Sequence, residues 1–183
     1  MNIPEAELEK RRSRVERQGE QYDPEEQLLK KWFGDAYSYN WYTRNAHAHP
    51  TRDSLGYAVA LLDTYDDQHI ARASDVIARI MNIQEDDPEH EHFGVWPHLM
   101  EEPLGQGPYV DRNWADFLGK DLLHVMIYHE NRLADDLVAD IEPAQATAED
   151  GRMEIAWKEM GFSVPTKPDT YEGMRKAVSG ITG

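Results

Sequence analysis

From Trp114 to Leu133 apolar side chains recur every three or four residues. Trp114, Phe117, Leu118, Leu122, Val125, Met126, His129 and Leu133 make one broad stripe, with Asp116, Lys120, His124 and Tyr128 beside it. That period is the signature of an α-helix with one buried face. It predicts a helix over about 112–131, opened by Asp111 or Asn113. The same spacing in Ile70, Ala73, Ile77, Ile80 and Met81 predicts a second helix over about 67–83. A third begins at Thr51 or Asp53 and buries Leu55, Val59 and Leu62, with Gly56, Ala58 and Ala60 small enough to admit a close neighbour. Only the turn Asp63-Thr64-Tyr65-Asp66 separates the second and third, which makes them an antiparallel hairpin.

The remaining segments are read around these helices. Residues 4–20 form a polar, weakly amphipathic helix whose few apolar members are Ile3, Leu8 and Val15. Asp23-Pro24-Glu25-Glu26 has the form of a helix start, with Leu28, Leu29, Trp32 and Phe33 on one face and Gly34 at the end. An aromatic stretch, Tyr37 to Pro50, has no clean period. Residues 84–111 hold four prolines and three glycines and read as a long loop. Short helices follow at 153–161 and 171–178, and no run shows the alternation of a strand. The expected fold is therefore all-α, built of antiparallel helical hairpins: a polar arm at 1–22, a helical core at 23–141 containing the loop 84–111, and a helical extension at 142–183. The expected core is Leu28, Leu55, Val59, Leu62, Ile70, Ile77, Ile80, Phe117, Leu118, Leu122, Val125 and Met126.

Charge narrows the function classes. The 183 residues carry 35 acids against 19 Lys and Arg, a formal net charge of -16. Nucleic-acid affinity rests on basic residues that neutralise phosphates, so no nucleic-acid partner is expected. The basic residues of the first helix, Lys10 to Arg17, alternate with glutamates and read as a salt-bridged solvent face. No apolar run is long enough to span a bilayer, and the first residues lack the apolar core of a signal peptide. Without cysteine there is no disulfide or thiolate chemistry, which fits a reducing, cytoplasmic setting. Acid excess of this size is also tolerated best at high salt.

Several residues invite chemistry. Glu101 and Glu102 stand beside Trp96, His98 and Tyr109 in the Pro/Gly-shaped loop. Carboxyl pairs held about 5 Å or about 6.5–9.5 Å apart cleave glycosidic bonds, while aromatic faces hold the sugar. Neighbours in sequence rarely meet that geometry, so either glutamate pairs better with Asp111 or Asp116. The alternative is structural, with Glu102 and Asp116 bonding loop amides and helix ends. His47, His49, His90, His92 and His98 lie in loops without HExxH spacing, and His124 and His129 are five apart rather than four. No metal or other cofactor is expected from these spacings. No GxSxG, GxxxxGK[ST] or GxGxxG motif is present.

The block GVWPHLMEEPL at 94–104, then DRNWADFLGKDLLHVMIYHENRL at 111–133, resembles the amino-terminal part of large uncharacterised helical toroids of the six-hairpin glycosidase and polysaccharide-lyase type. RDSLGYAVALLDT at 52–64 is similar to their preceding hairpin. The resemblance implies a carbohydrate-active or carbohydrate-binding protein, with an oligo- or polysaccharide in a cleft built from 37–49 and 93–116. It implies Asp116 or Glu102 as acid, Asp111 or Glu101 as its partner, and Trp96, Tyr109, Trp114, Trp41 and His98 as substrate contacts. In a lyase, His98 and nearby Tyr residues would be the candidate bases. The chain has too few helices to close such a ring, so the expectation is either a fragment or shortened relative of a larger enzyme, or a core completed in a homo-oligomer or by a partner chain. The alternative function is a non-catalytic helical scaffold whose aromatic loop mediates protein association.

Overall fold

The computed structural model describes residues 3–34, 43–87, 90–105 and 110–147. Among them are five α-helices and two small antiparallel sheets. Helix α1, Glu5–Gly19, leads into strands β1, Tyr22–Asp23, and β2, Leu28–Leu29, which pair as one hairpin. Strand β3, Lys31–Phe33, pairs with β4, Ala46–Ala48. Then come α2, Thr51–Leu62, and α3, Ile70–Met81, separated by a turn of 3-10 helix at Asp67–His69. Helix α4, Asn113–His129, passes through a second 3-10 turn, Glu130–Arg132, into α5, Asp135–Thr147.

The expectation of an all-α fold is thus corrected to a mixed one. The segment after Asp23 does not form a helix. Asp23 Oδ1 accepts the Glu25 amide at 3.0 Å and Gln27 takes a φ of 59°, so Asp-Pro opens a tight turn instead of capping a helix. Leu28 and Leu29 are both fully buried, as strand β2. The described helices and open sheets also lack the repeated hairpins of a toroid, and the all-α toroid architecture is withdrawn with them. The helices expected at 153–161 and 171–178 lie outside the described residues.

Helix α2 is the centre of the molecule. It packs on α1, α3 and α4, and most of its residues are buried: Leu55, Tyr57, Ala58, Leu61 and Leu62 are almost wholly inaccessible. They meet Ala73, Val76, Ile77 and Ile80 of α3 and Leu118, Leu122, Val125 and Met126 of α4 in one core. Phe117 departs from the expected core. It is 37% exposed, and the Arg52 guanidinium covers its ring at 4.0 Å. Two buried hydroxyls fasten the start of α2. Ser54 donates to Pro50 O at 2.7 Å and accepts the Leu29 amide at 3.0 Å, which joins α2 to β2. Thr51 donates to Pro97 O at 2.7 Å and accepts the Trp114 indole at 3.0 Å, which joins α2 to the loop and to α4.

Gly56 is not the contact glycine that its neighbours suggest. A Cβ built there meets nothing within 4 Å, whereas one at Gly19 would lie 3.1 Å from the Tyr57 hydroxyl. Gly56→Ala should therefore stabilise the protein by about 0.5–1 kcal/mol through helix propensity alone. Urea denaturation reads this directly, and a destabilised variant would show that the position does need glycine. None of the described helices is long and apolar enough to cross a membrane.

Candidate metal centre

The last carbonyls of a helix have no partner within it and carry its negative end. At the end of α2 two guanidinium groups fill that need. Arg132 Nη1 donates to Leu62 O at 2.8 Å, and Arg11 Nη1 of α1 donates to Asp63 O at 2.9 Å. Asp63 itself follows the last residue of α2, where a carboxylate opposes the helix dipole and needs compensation. Two imidazoles supply it. His124 Nε2 lies 3.0 Å and His129 Nε2 2.9 Å from the same oxygen, Asp63 Oδ1.

Burial pushes the Asp63 carboxyl up, but the hydrogen bonds and charge of His124 and His129 outweigh it and hold the group well below the usual carboxylate range. The site therefore offers an ionised oxygen and two imidazole nitrogens from two distant segments. All three ligand atoms lie within 4.8 Å of one another. His129 is fully buried, while the His124 side chain is 37% exposed and opens the group to solvent.

Tyr65 lies against this group. Its ring centroid is 5.2 Å from that of His129, and Arg132 lies 5.5 Å from its centre. Its φ of 57° puts a bulky residue in the left-handed region, a strained conformation that the surrounding packing must hold. Tyr128 flanks the other imidazole, with its ring 4.7 Å from that of His124.

The residues singled out in the sequence lie elsewhere. Trp96 is 1% exposed, and its indole donates to Ile80 O at 2.9 Å. His98 stacks on Trp114 with centroids 3.8 Å apart, and burial pushes its imidazole down against the opposing pull of Asp111 and Glu102. Glu102 is buried and accepts the Thr43 hydroxyl at 2.6 Å. Glu101 contacts His49 Nδ1 and accepts its amide at 3.0 Å, while His49 Nε2 lies 3.4 Å from Asp23 Oδ2. Asp111 accepts the Asn113 amide at 3.0 Å and so opens α4, with Asp116 in the first turn. Trp41 and Tyr109 lie outside the described residues.

Residues 22–156 match the family described as a domain of unknown function, DUF8769. The chain belongs to this family. No curated protein and no solved structure matches it. The toroid resemblance is corrected accordingly: the DUF8769 match and the mixed fold replace it. With it go the carbohydrate function, the glycoside hydrolase or lyase activity and the alternative of an all-helical scaffold.

The group on Asp63 escaped the spacing rules for a definite reason. Five residues on a continuous helix turn through about 500°, which leaves two side chains about 140° apart. His129 is the last residue of α4, and its φ of -135° and ψ of 0° turn the chain into the 3-10 segment. The His124 and His129 rings consequently come within 5.8 Å of each other. One local signal did exist, namely an acid placed at a helix C-terminus against the dipole.

Proposed function

We propose that this DUF8769 domain binds one divalent transition-metal ion through Asp63, His124 and His129. The observation that carries this reading is the convergence of two imidazole Nε2 atoms on a single ionised carboxylate oxygen. Two nitrogens and one oxygen suit zinc and its neighbours in the first transition row, whereas magnesium and calcium prefer all-oxygen sites. Bonds of about 2.0–2.1 Å in a tetrahedral site set ligand atoms about 3.3 Å apart, so the two N···O separations of 3.0 and 2.9 Å need to widen by only a few tenths of an ångström. Three protein ligands leave one position for an outside group.

Metal-free protein titrated with Zn2+ should bind one ion per chain and melt at a higher temperature. Ligand at about a hundred times its Kd adds about 2.7 kcal/mol to the folded state. Mg2+ at the same concentration should leave the melting temperature nearly unchanged. Equal responses to both ions would assign the effect to diffuse binding by an acidic surface and overturn the reading.

A further inference from the structure

The turn that follows Asp63 holds a residue ill suited to its backbone. Tyr65 takes a φ of 57° two residues past the metal ligand. Glycine usually fills the left-handed place where a helix ends, because a Cβ there is crowded. Hydrogen bonds on either side keep Tyr65 in this conformation. Its amide donates to Leu62 O at 2.9 Å, while the Thr64 hydroxyl donates to Leu61 O at 2.7 Å and accepts the Asp66 amide at 3.2 Å. Glycine at 65 would make the same backbone bonds without the strain, so the turn itself gives no reason for a tyrosine.

The reason lies in the side chain. The Tyr65 ring packs on the His129 ring, with centroids 5.2 Å apart and planes tilted by 52°. His129 needs such support more than His124 does. His124 stands inside α4, where Tyr128 reaches it at the ordinary helical spacing of four residues. His129 ends the helix with a φ of -135°, so regular helix geometry does not set the direction of its imidazole. The ring is nonetheless fully buried and brings Nε2 to 2.9 Å from Asp63 Oδ1. Arg132 meets only the Nδ1 edge, at 3.4 Å. Tyr65 packs on the ring and belongs to the same turn as Asp63, so it ties the place of the imidazole to that of the carboxylate.

Resting on the metal reading, we infer that Tyr65 is a positioning residue of the metal centre: its ring sets the His129 imidazole against Asp63, and the strained backbone is kept for the sake of that ring. Groups that orient a ligating imidazole are typically worth about 10–100-fold in metal affinity. Strain at a site of this kind is held by the surrounding structure and works against folding. Glycine or asparagine at 65 relieves it, and the ring that either one removes is already 38% exposed. Metal affinity and stability are thereby expected to move independently, which a purely structural tyrosine would not allow.

The test titrates the full chain and three variants with Co2+, whose visible absorption reports its coordination, and melts each without metal. Tyr65→Gly and Tyr65→Asn should weaken Co2+ about tenfold or more, while their metal-free melting temperatures equal or exceed that of the wild type. Asparagine tolerates the left-handed region and keeps a Cβ, so it separates loss of the ring from a loosened turn. At saturating Co2+ the spectra of both should differ from the wild-type spectrum. Tyr65→Phe, which keeps the ring, should restore affinity and spectrum together. Undiminished Co2+ affinity in Tyr65→Gly and Tyr65→Asn, or a Tyr65→Phe variant that binds as weakly as they do, overturns the inference and leaves the metal site standing. A fall in metal-free melting temperature alongside the weaker binding overturns it too, since the ring then serves the fold rather than the ligand. Failure of the wild type to bind Co2+ removes the metal site and the inference together.

Discussion

Trp96→Ala will cost about 3–5 kcal/mol of folding free energy, the usual loss for emptying a buried aromatic site. Trp96 is 1% exposed and packs in the main core, and its indole nitrogen donates to Ile80 O at 2.9 Å. Ile80 stands in the last turn of α3, and its carbonyl also accepts the Ile83 amide at 3.2 Å just past the helix. Alanine therefore leaves a cavity and removes one hydrogen bond from that carbonyl, in a domain whose total stability is of order 5–15 kcal/mol. Trp96→Phe separates the two effects. It keeps most of the ring burial and loses the hydrogen bond, at about 0.5–1.5 kcal/mol. Urea unfolding followed by circular dichroism measures both. A Trp96→Ala loss under about 1 kcal/mol would mean that the loop rearranges to fill the space.

Asp63→Asn should act on stability and on metal binding together. Without metal, the variant replaces a carboxylate that accepts from His124 and His129 by a neutral amide, at a cost of about 1.5–3 kcal/mol near neutral pH. In the presence of Zn2+ the gap widens, since the variant loses the charged ligand and with it about a hundredfold or more in affinity. The pH dependence has a definite sign. The folded carboxyl sits below its ordinary value of 3.8, so its contribution is present above that pH and is lost as the pH falls toward the folded value. The acid limb of the wild-type stability curve should accordingly be shallower in Asp63→Asn. A variant with unaltered Zn2+ response would dismiss Asp63 as a ligand, whatever its effect on stability.

The three long apolar patterns were legible because each persists for several turns, and α2, α3 and α4 occupy those stretches. Strands of two or three residues are too short to show an alternation, and the hairpin at Tyr22–Leu29 therefore reads as a helix. Asp23-Pro24 compounds the ambiguity, because an Asp before Pro serves an Asx turn as readily as a helix cap. The loop neighbours of Trp96 point to a ligand-facing ring. That its indole meets the end of α3 is a contact across sixteen residues, which only the packed chain reveals. The group on Asp63 spans more than sixty residues and depends on where α4 stops, so no local pattern contains it.

Helix α2 carries a polar junction at each end: the Thr51 hydroxyl at its first residue and the Asp63 carboxylate just past its last. The twelve residues of the helix, Thr51–Leu62, act as a gauge of both length and phase. Adding or removing one would shift the ends by about 1.5 Å and twist one junction about 100° relative to the other, so both could not be satisfied at once. Members of the family that keep both junctions must therefore conserve the residue count from Thr51 to Asp63 more strictly than most of the side chains within it. Insertions and deletions should collect in the loops, where no such phase is counted.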